Sequence, residues 1–202
     1  MKKLLPPFYK RRDVITIAKE LLGKIIVTDI AGVRTSVRIA ETEAYVAHVD
    51  KASHAYNGKR TVRNEHMYSE GGTVYVYICY GMHSMLNVVT NDKEIPDAVL
   101  IRAGDPIEGI EIMLERTGKK IFDNTLTKGP GNLAKALGIN KSHSGFIYGK
   151  HQIEILEDSL KLMEIEIGIS KRIGVKSAGA DALLPYRFYI KGNKFVSATP
   201  TK

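Results

Sequence analysis

Glu41, Glu43 and Tyr45 alternate along a β-branched, apolar stretch. At the strand period of two, this spacing puts two carboxylates and a phenol on one face and the small Ala40, Thr42 and Ala44 on the other. Two carboxylates on one face can work as acid and base, ligate a metal or sit on a wet outer face, and the outer face is the most frequent of the three. No nearby His or Cys spacing supports a metal. Further along, Tyr45, Tyr56, Tyr68, Tyr75, Tyr77 and Tyr80, six of the ten tyrosines, share an interval with His48, His54, His66 and His83, four of the six histidines. Lys51, Lys59, Arg60 and Arg63 lie in the same interval. Aromatics interleaved with cations stack bases while holding phosphates. A tyrosine-rich sheet core beside a solvated basic loop has the same composition. Tyr80, followed by Gly81-Met82, falls at a hairpin tip, where an exposed aromatic serves as a wedge between base pairs or as a loop anchor.

The elements that must position these residues follow from periodicity. Asp13 caps a helix whose Val14, Ile17, Ala18, Leu21 and Leu22 share one face, and Gly23 stops it. Strands are expected over 25–30 and 33–45, joined by Ala31-Gly32, and the polar residues 47–72 form a long loop. Residues 73–80 form a strand with Tyr75 and Tyr77 on one face and Val74, Val76 and Ile78 on the other; 85–90 form its return strand. A short buried strand is expected over 98–102. Asp105-Pro106 reads as the start of a helix ending at Gly118, and 133–137 as a short helix. Further strands are expected at 153–156, 187–190 and 195–197. Strands follow one another as hairpins, so the fold class is α+β with a mostly antiparallel, curved sheet. Two segments carry no chemistry on this reading: Lys128-Gly129-Pro130-Gly131-Asn132 lacks the spacing of a phosphate-binding loop, and Cys79 is a small core residue.

The 202 residues make one domain, expected as a single unit over 1–202 with 1–12 a poorly ordered N-terminal segment. Hydrophobic residues at 44% and charged ones at 26% exclude disorder. No apolar run reaches membrane-spanning length, and the single cysteine excludes an internal disulfide, so the expectation is an intracellular protein. Thirty Lys and Arg against twenty-two Asp and Glu give +8, compatible with a polyanionic partner.

Several segments stand in a familiar order: Glu41-Thr42-Glu43-Ala44-Tyr45, Ala52-Ser53-His54, Thr61-Val62-Arg63-Asn64, Tyr75-Val76-Tyr77-Ile78-Cys79-Tyr80-Gly81-Met82, Leu86-Asn87-Val88 and Val99-Leu100-Ile101-Arg102-Ala103. Together with Gly129-Pro130, Arg172-Ile173-Gly174, Arg187-Phe188-Tyr189 and Val196-Ser197, they resemble the alkyladenine (3-methyladenine) DNA glycosylases, over nearly the whole chain from Asp13 onward. Met67-Tyr68 departs from the family's usual Met-Phe. The resemblance implies a β-hairpin that enters the minor groove and hydrolysis of the N-glycosidic bond of a damaged purine, leaving an abasic site. It implies that Glu43 is the general base and that Arg102 and the backbone of Ile173 help hold the attacking water. Tyr45, His54 and Tyr77, with Ala52 beside them, would line the base pocket, and Asn87 would obstruct the 2-amino group of guanine. Tyr80, with Met82, would fill the vacated place in the duplex, and Lys59, Thr61 and Arg63 would contact the DNA backbone. The implied partner is duplex DNA carrying damaged purines, acted on by a monomer without cofactor, metal or membrane. A non-catalytic binder of damaged nucleic acid would share the basic loop and the tyrosines but not need the carboxylate.

Overall fold

A computed structural model describes residues 1–158, 160, 162–163 and 166–197. In chain order the elements are β1 (Lys2–Lys3), α1 (Pro6–Tyr9), α2 (Val14–Glu20), β2 (Ile25–Ile30), β3 (Val33–Tyr45), β4 (Val74–Cys79), β5 (His83–Thr90) and β6 (Asp97–Glu108). Then follow α3 (Ile110–Thr117), α4 (Pro130–Ala136), β7 (Ile153–Glu157), β8 (Ile167–Ser170) and β9 (Arg187–Ile190). The described strands form one antiparallel sheet in the order β1-β7-β2-β3-β6-β5-β4. β9 pairs with the far end of β3, and β8 with β9. The fold is α+β, in one compact domain.

β3 is the hub. Its first half pairs with β2, and Glu41 to Glu43 lie between β6 on one side and β9 on the other. Backbone pairing on both edges encloses this stretch, and Ala40 through Ala44 are all buried. Behind it lies α2, whose N-cap Asp13 accepts hydrogen bonds from the amides of Ile15 and Thr16. Thr42 donates to the Ala18 carbonyl at 2.8 Å, tying β3 to that helix. The main core joins Ile17 of α2 and its C-cap Leu21 to Val37, Ile39, Val76, Leu86, Val88, Val99 and Ile101 of the sheet. A smaller cluster of Ala55, Met67, Tyr68, Tyr75 and Val89, with Tyr77 packed against it, is separate from that core. The strand alternation that sends Val74 and Val76 to one cluster sends Tyr75 and Tyr77 to the other.

The structure departs from the sequence reading in four places. Asp105-Pro106 do not begin a helix: β6 runs on through them, paired with Arg38 and Val37. Proline is tolerated there because the ladder is irregular at that point and needs no donor from it. Helix α3 starts only after Gly109, at φ 75°, where a Cβ would stand 2.6 Å from the Arg34 carbonyl. Residues 195–197 are not a strand, because Asn193 turns the chain by accepting the Phe195 amide on its side chain (2.9 Å). The N-terminal twelve residues, expected to be poorly ordered, pack instead: Lys2–Lys3 pair with β7, and Tyr9 is buried, its ring stacked on Tyr148. Strand β8 was not anticipated.

β4 is the edge of the sheet, yet its outward backbone is occupied. The Val76 carbonyl accepts from Lys141 Nζ (2.9 Å), the Ile78 carbonyl from Arg63 Nη2 (3.1 Å), and the Val76 amide donates to Ser144 Oγ (3.1 Å). Beyond this edge the β4–β5 hairpin turns at Tyr80-Gly81, both with positive φ (49° and 72°).

Candidate active site

The carboxylates of β3 do not face solvent. Glu41 and Glu43 are both fully buried, which rules out the wet outer face. Arginines on neighbouring strands meet them there. The β3–β6 ladder shifts register on either side of Glu41, leaving Arg102 between the paired Ile101 and Ala103. Such an irregularity re-aims a side chain, and Arg102 uses it to reach both carboxylates: Nε to Glu41 Oε1 at 2.9 Å, and Nη1 to Glu43 Oε1 at 3.3 Å. Arg187 of β9 donates to Glu41 Oε1 (2.6 Å) and to the Ser197 carbonyl (2.6 Å). The Ser197 amide donates to Glu41 Oε2 (2.7 Å).

Glu43 takes different partners. The Ile173 amide donates to Oε1 (2.8 Å), and the Tyr45 hydroxyl to Oε2 (2.8 Å). Burial raises the Glu43 pKa, and the opposing pull of Arg102, the Ile173 amide and the Tyr45 hydroxyl does not cancel it. The shorter contact of Arg102 is to Glu41, and desolvation outweighs its attraction for Glu43. Burial, then the Glu43 charge, raises the Tyr45 pKa well above that of a free phenol, so this hydroxyl remains a donor.

Beside Glu43 stands an aromatic wall. The His54 and Tyr77 rings meet edge to face with centroids 4.5 Å apart, and His54 Nδ1 lies 2.9 Å from the Tyr75 hydroxyl. Burial, then the Arg63 and Lys59 cations, depresses the His54 pKa to about 4, so this imidazole is neutral at physiological pH. Burial pushes Tyr77 up to about 12. Ala52 is half-buried just before His54, its amide bound to Asp50 Oδ1 (3.0 Å). Asn87, on β5, is buried with its side-chain amide locked onto the carbonyls of Tyr75 (3.1 Å) and Met85 (3.0 Å).

The remaining candidates lie outward. Tyr80 and Met82, at the hairpin tip, are 84% and 74% exposed. Lys59, Thr61 and Arg63 line, with Lys51 and His54, a cavity of about 420 Å³. Within it Thr61 Oγ1 donates to Asn64 (3.0 Å), and Arg63 lies over the Tyr77 ring at 5.3 Å. A cavity of about 1140 Å³ lies among the N-terminal segment, α2 and β7 and is lined by none of these residues.

The sequence reading missed Glu41's role, Arg187's role and the Asp50–Arg172 pair. Arg172 forks onto both Asp50 oxygens (Nη2 to Oδ1 at 2.8 Å, and Nη1 to Oδ2) from 122 positions away. Nothing local in the sequence marks such a pair. Among the described residues, no group of three or more His, Cys, Asp or Glu side chains is placed to hold a metal, and no helix is long and apolar enough to cross a membrane.

Comparison with known proteins accords with this geometry. The family model of methylpurine-DNA glycosylase matches residues 7–194. A Clostridium perfringens protein named "Putative 3-methyladenine DNA glycosylase" is 46% identical over 198 residues, covering 94% of this chain and 96% of its own. Proteins of the same name from Desulfitobacterium hafniense (43% identical, 98% and 99% covered) and Chlamydia abortus (45%, 91% and 95%) are similar over nearly their whole lengths. With a buried carboxylate, an aromatic wall beside it and a hairpin with an exposed tip, and with this likeness over almost its entire length, the chain belongs to the methylpurine-DNA glycosylase family and is a DNA glycosylase.

Proposed function

We propose that the chain turns a damaged purine out of duplex DNA and hydrolyses its N-glycosidic bond with a water activated by Glu43. The observation that carries this reading is the fully buried Glu43, hydrogen-bonded by Tyr45 and the Ile173 amide and approached by Arg102, beside the His54–Tyr77 wall. A glycosidic bond inside a duplex is inaccessible, and extruding the nucleotide costs a few kcal/mol of stacking and pairing. Stacking on a protein aromatic returns about 1–3 kcal/mol per base, so Tyr45 and Tyr77 offset much of that cost. Tyr80 and Met82, exposed at the hairpin tip, fill the space the base leaves. The locked Asn87 amide is a rigid obstacle to the guanine 2-amino group.

In the reaction, the bond from the anomeric carbon to the purine nitrogen breaks as water oxygen bonds to that carbon, and Glu43 accepts the water's proton. A carboxylate whose pKa is raised by burial is a stronger base than an exposed one, and its charge stabilises the cationic sugar of the transition state. Purines alkylated at N3 or N7 are already cationic and leave readily. A neutral purine such as hypoxanthine must gain a proton or a hydrogen bond to leave.

The test uses a duplex with a single hypoxanthine, heated in alkali after incubation. Scission at that position is expected for the parent protein, and lesion binding without scission for Glu43→Gln. Parent protein that binds without scission on hypoxanthine, 3-methyladenine and 7-methylguanine duplexes alike is a binder, not an enzyme. Scission by Glu43→Gln at the parental rate removes Glu43 from the chemistry.

A further inference from the structure

Arg172 lies one residue before the amide that binds Glu43, and its side chain is fully buried. Its guanidinium bridges several groups. It forks onto the buried Asp50 carboxylate; Nη1 donates to the Ala44 carbonyl (2.9 Å) and Nη2 to the Asp181 carbonyl (3.1 Å). The guanidinium carbon lies 4.7 Å from the centroid of the Tyr45 ring. The Ala44 carbonyl belongs to the residue between Glu43 and Tyr45. Asp50 in turn accepts the Ala52 amide (3.0 Å) and so starts the turn that delivers His54. One buried ion pair therefore touches the strand of the base, the peptide that binds it and the loop of the aromatic wall.

We infer that Arg172 and Asp50 form a positioning pair, which holds the Ile173 amide on Glu43 and fixes that group relative to Tyr45 and His54. This rests on the function proposed above, because it assigns Glu43 the water-activating role. Neither residue touches substrate on this view. A planar fork is needed because an ammonium cannot bind two carboxylate oxygens and two carbonyls in one plane. A displacement of about 1 Å at such a remove costs on the order of 10²-fold in rate.

The pair is tested with Arg172→Lys, which keeps the charge, and Asp50→Asn, which keeps the shape. At saturating enzyme, the single-turnover rate of base release per folded molecule is expected to fall on the order of 10²-fold in Arg172→Lys, with affinity for an abasic-site duplex nearly unchanged. The acid limb of its pH–rate profile is expected to move up, since Glu43 loses a donor while Glu41, Tyr45, Arg102 and Tyr77 still face it. Fold loss alone lowers amplitude and leaves that limb in place. A parental rate per folded molecule and a parental limb in both variants overturn the pair. The Ile173 amide resonance gives a readout free of activity: in the parent it follows the titration of Glu43, and in Arg172→Lys it no longer does. If the parent releases no base, the proposed function fails. An unchanged Ile173 titration in Arg172→Lys overturns the positioning role by itself.

Discussion

Glu41 and Glu43 stand two residues apart on one face of one strand, equally buried, and their surroundings differ in kind. Glu41 is saturated with cations and peptide: Arg102 and Arg187 converge on one oxygen and the Ser197 amide takes the other. Glu43 has the longer contact to Arg102, one backbone amide and a phenol. The first arrangement compensates a buried charge. The second leaves it under-compensated, so burial prevails and the proton affinity rises. A strand therefore needs only different neighbours to make one carboxylate a saturated anchor and to raise the proton affinity of the next.

Replacing each in turn breaks or sharpens this contrast. Glu43→Gln is expected to lower single-turnover base release by about 10²–10⁴-fold while the folded protein survives, and chemical quench with calorimetry measures both. Glu41→Gln reverses the pattern, removing the anion that Arg102 and Arg187 share. Denaturant unfolding is expected to show a loss of about 3–5 kcal/mol, with the rate per folded molecule falling far less than in Glu43→Gln. Equal rate losses for the two would erase the distinction.

pH separates them further. Because the folded state holds the Glu43 proton more tightly than the unfolded chain does, this group lowers stability as pH rises from the ordinary glutamate range through its raised value. Glu43→Gln should abolish that decline in a pH series of melting temperatures. With Glu43 as the proposed base, activity is expected to have the opposite sign, rising over the same window as the carboxyl ionises. With 7-methylguanine the rate then levels off, and with hypoxanthine it falls again as the leaving group loses its proton. A limb near pH 4 instead would assign it to His54. The smallest effect is at the hairpin: Tyr80 at φ 49° is strained, so Tyr80→Gly should raise stability by about 1 kcal/mol yet weaken capture of a lesion duplex, as read by filter binding.

Local rules made much of this visible. The Asp13 cap, the two-residue connection at Ala31-Gly32 and the alternation of Tyr75 and Tyr77 each depend on near neighbours. Asp105-Pro106 misled because the pair that suits a helix start also suits an irregular strand, and only the β3 partner decides. The alternation of Glu41 and Glu43 gave their shared face but not its burial, which needs β9 from 146 positions away. Arg102's aim depends on a register shift, and Asp50–Arg172 on two loops meeting. Pairings of that span leave no periodicity to read.

A two-stranded ribbon projecting from the rim of a sheet ordinarily invites another chain to add a strand. Here Lys141, Arg63 and Ser144 already occupy the outward backbone of the ribbon's outer strand. The hairpin thus exposes Tyr80 and Met82 beside a strand edge whose hydrogen-bonding groups are already taken.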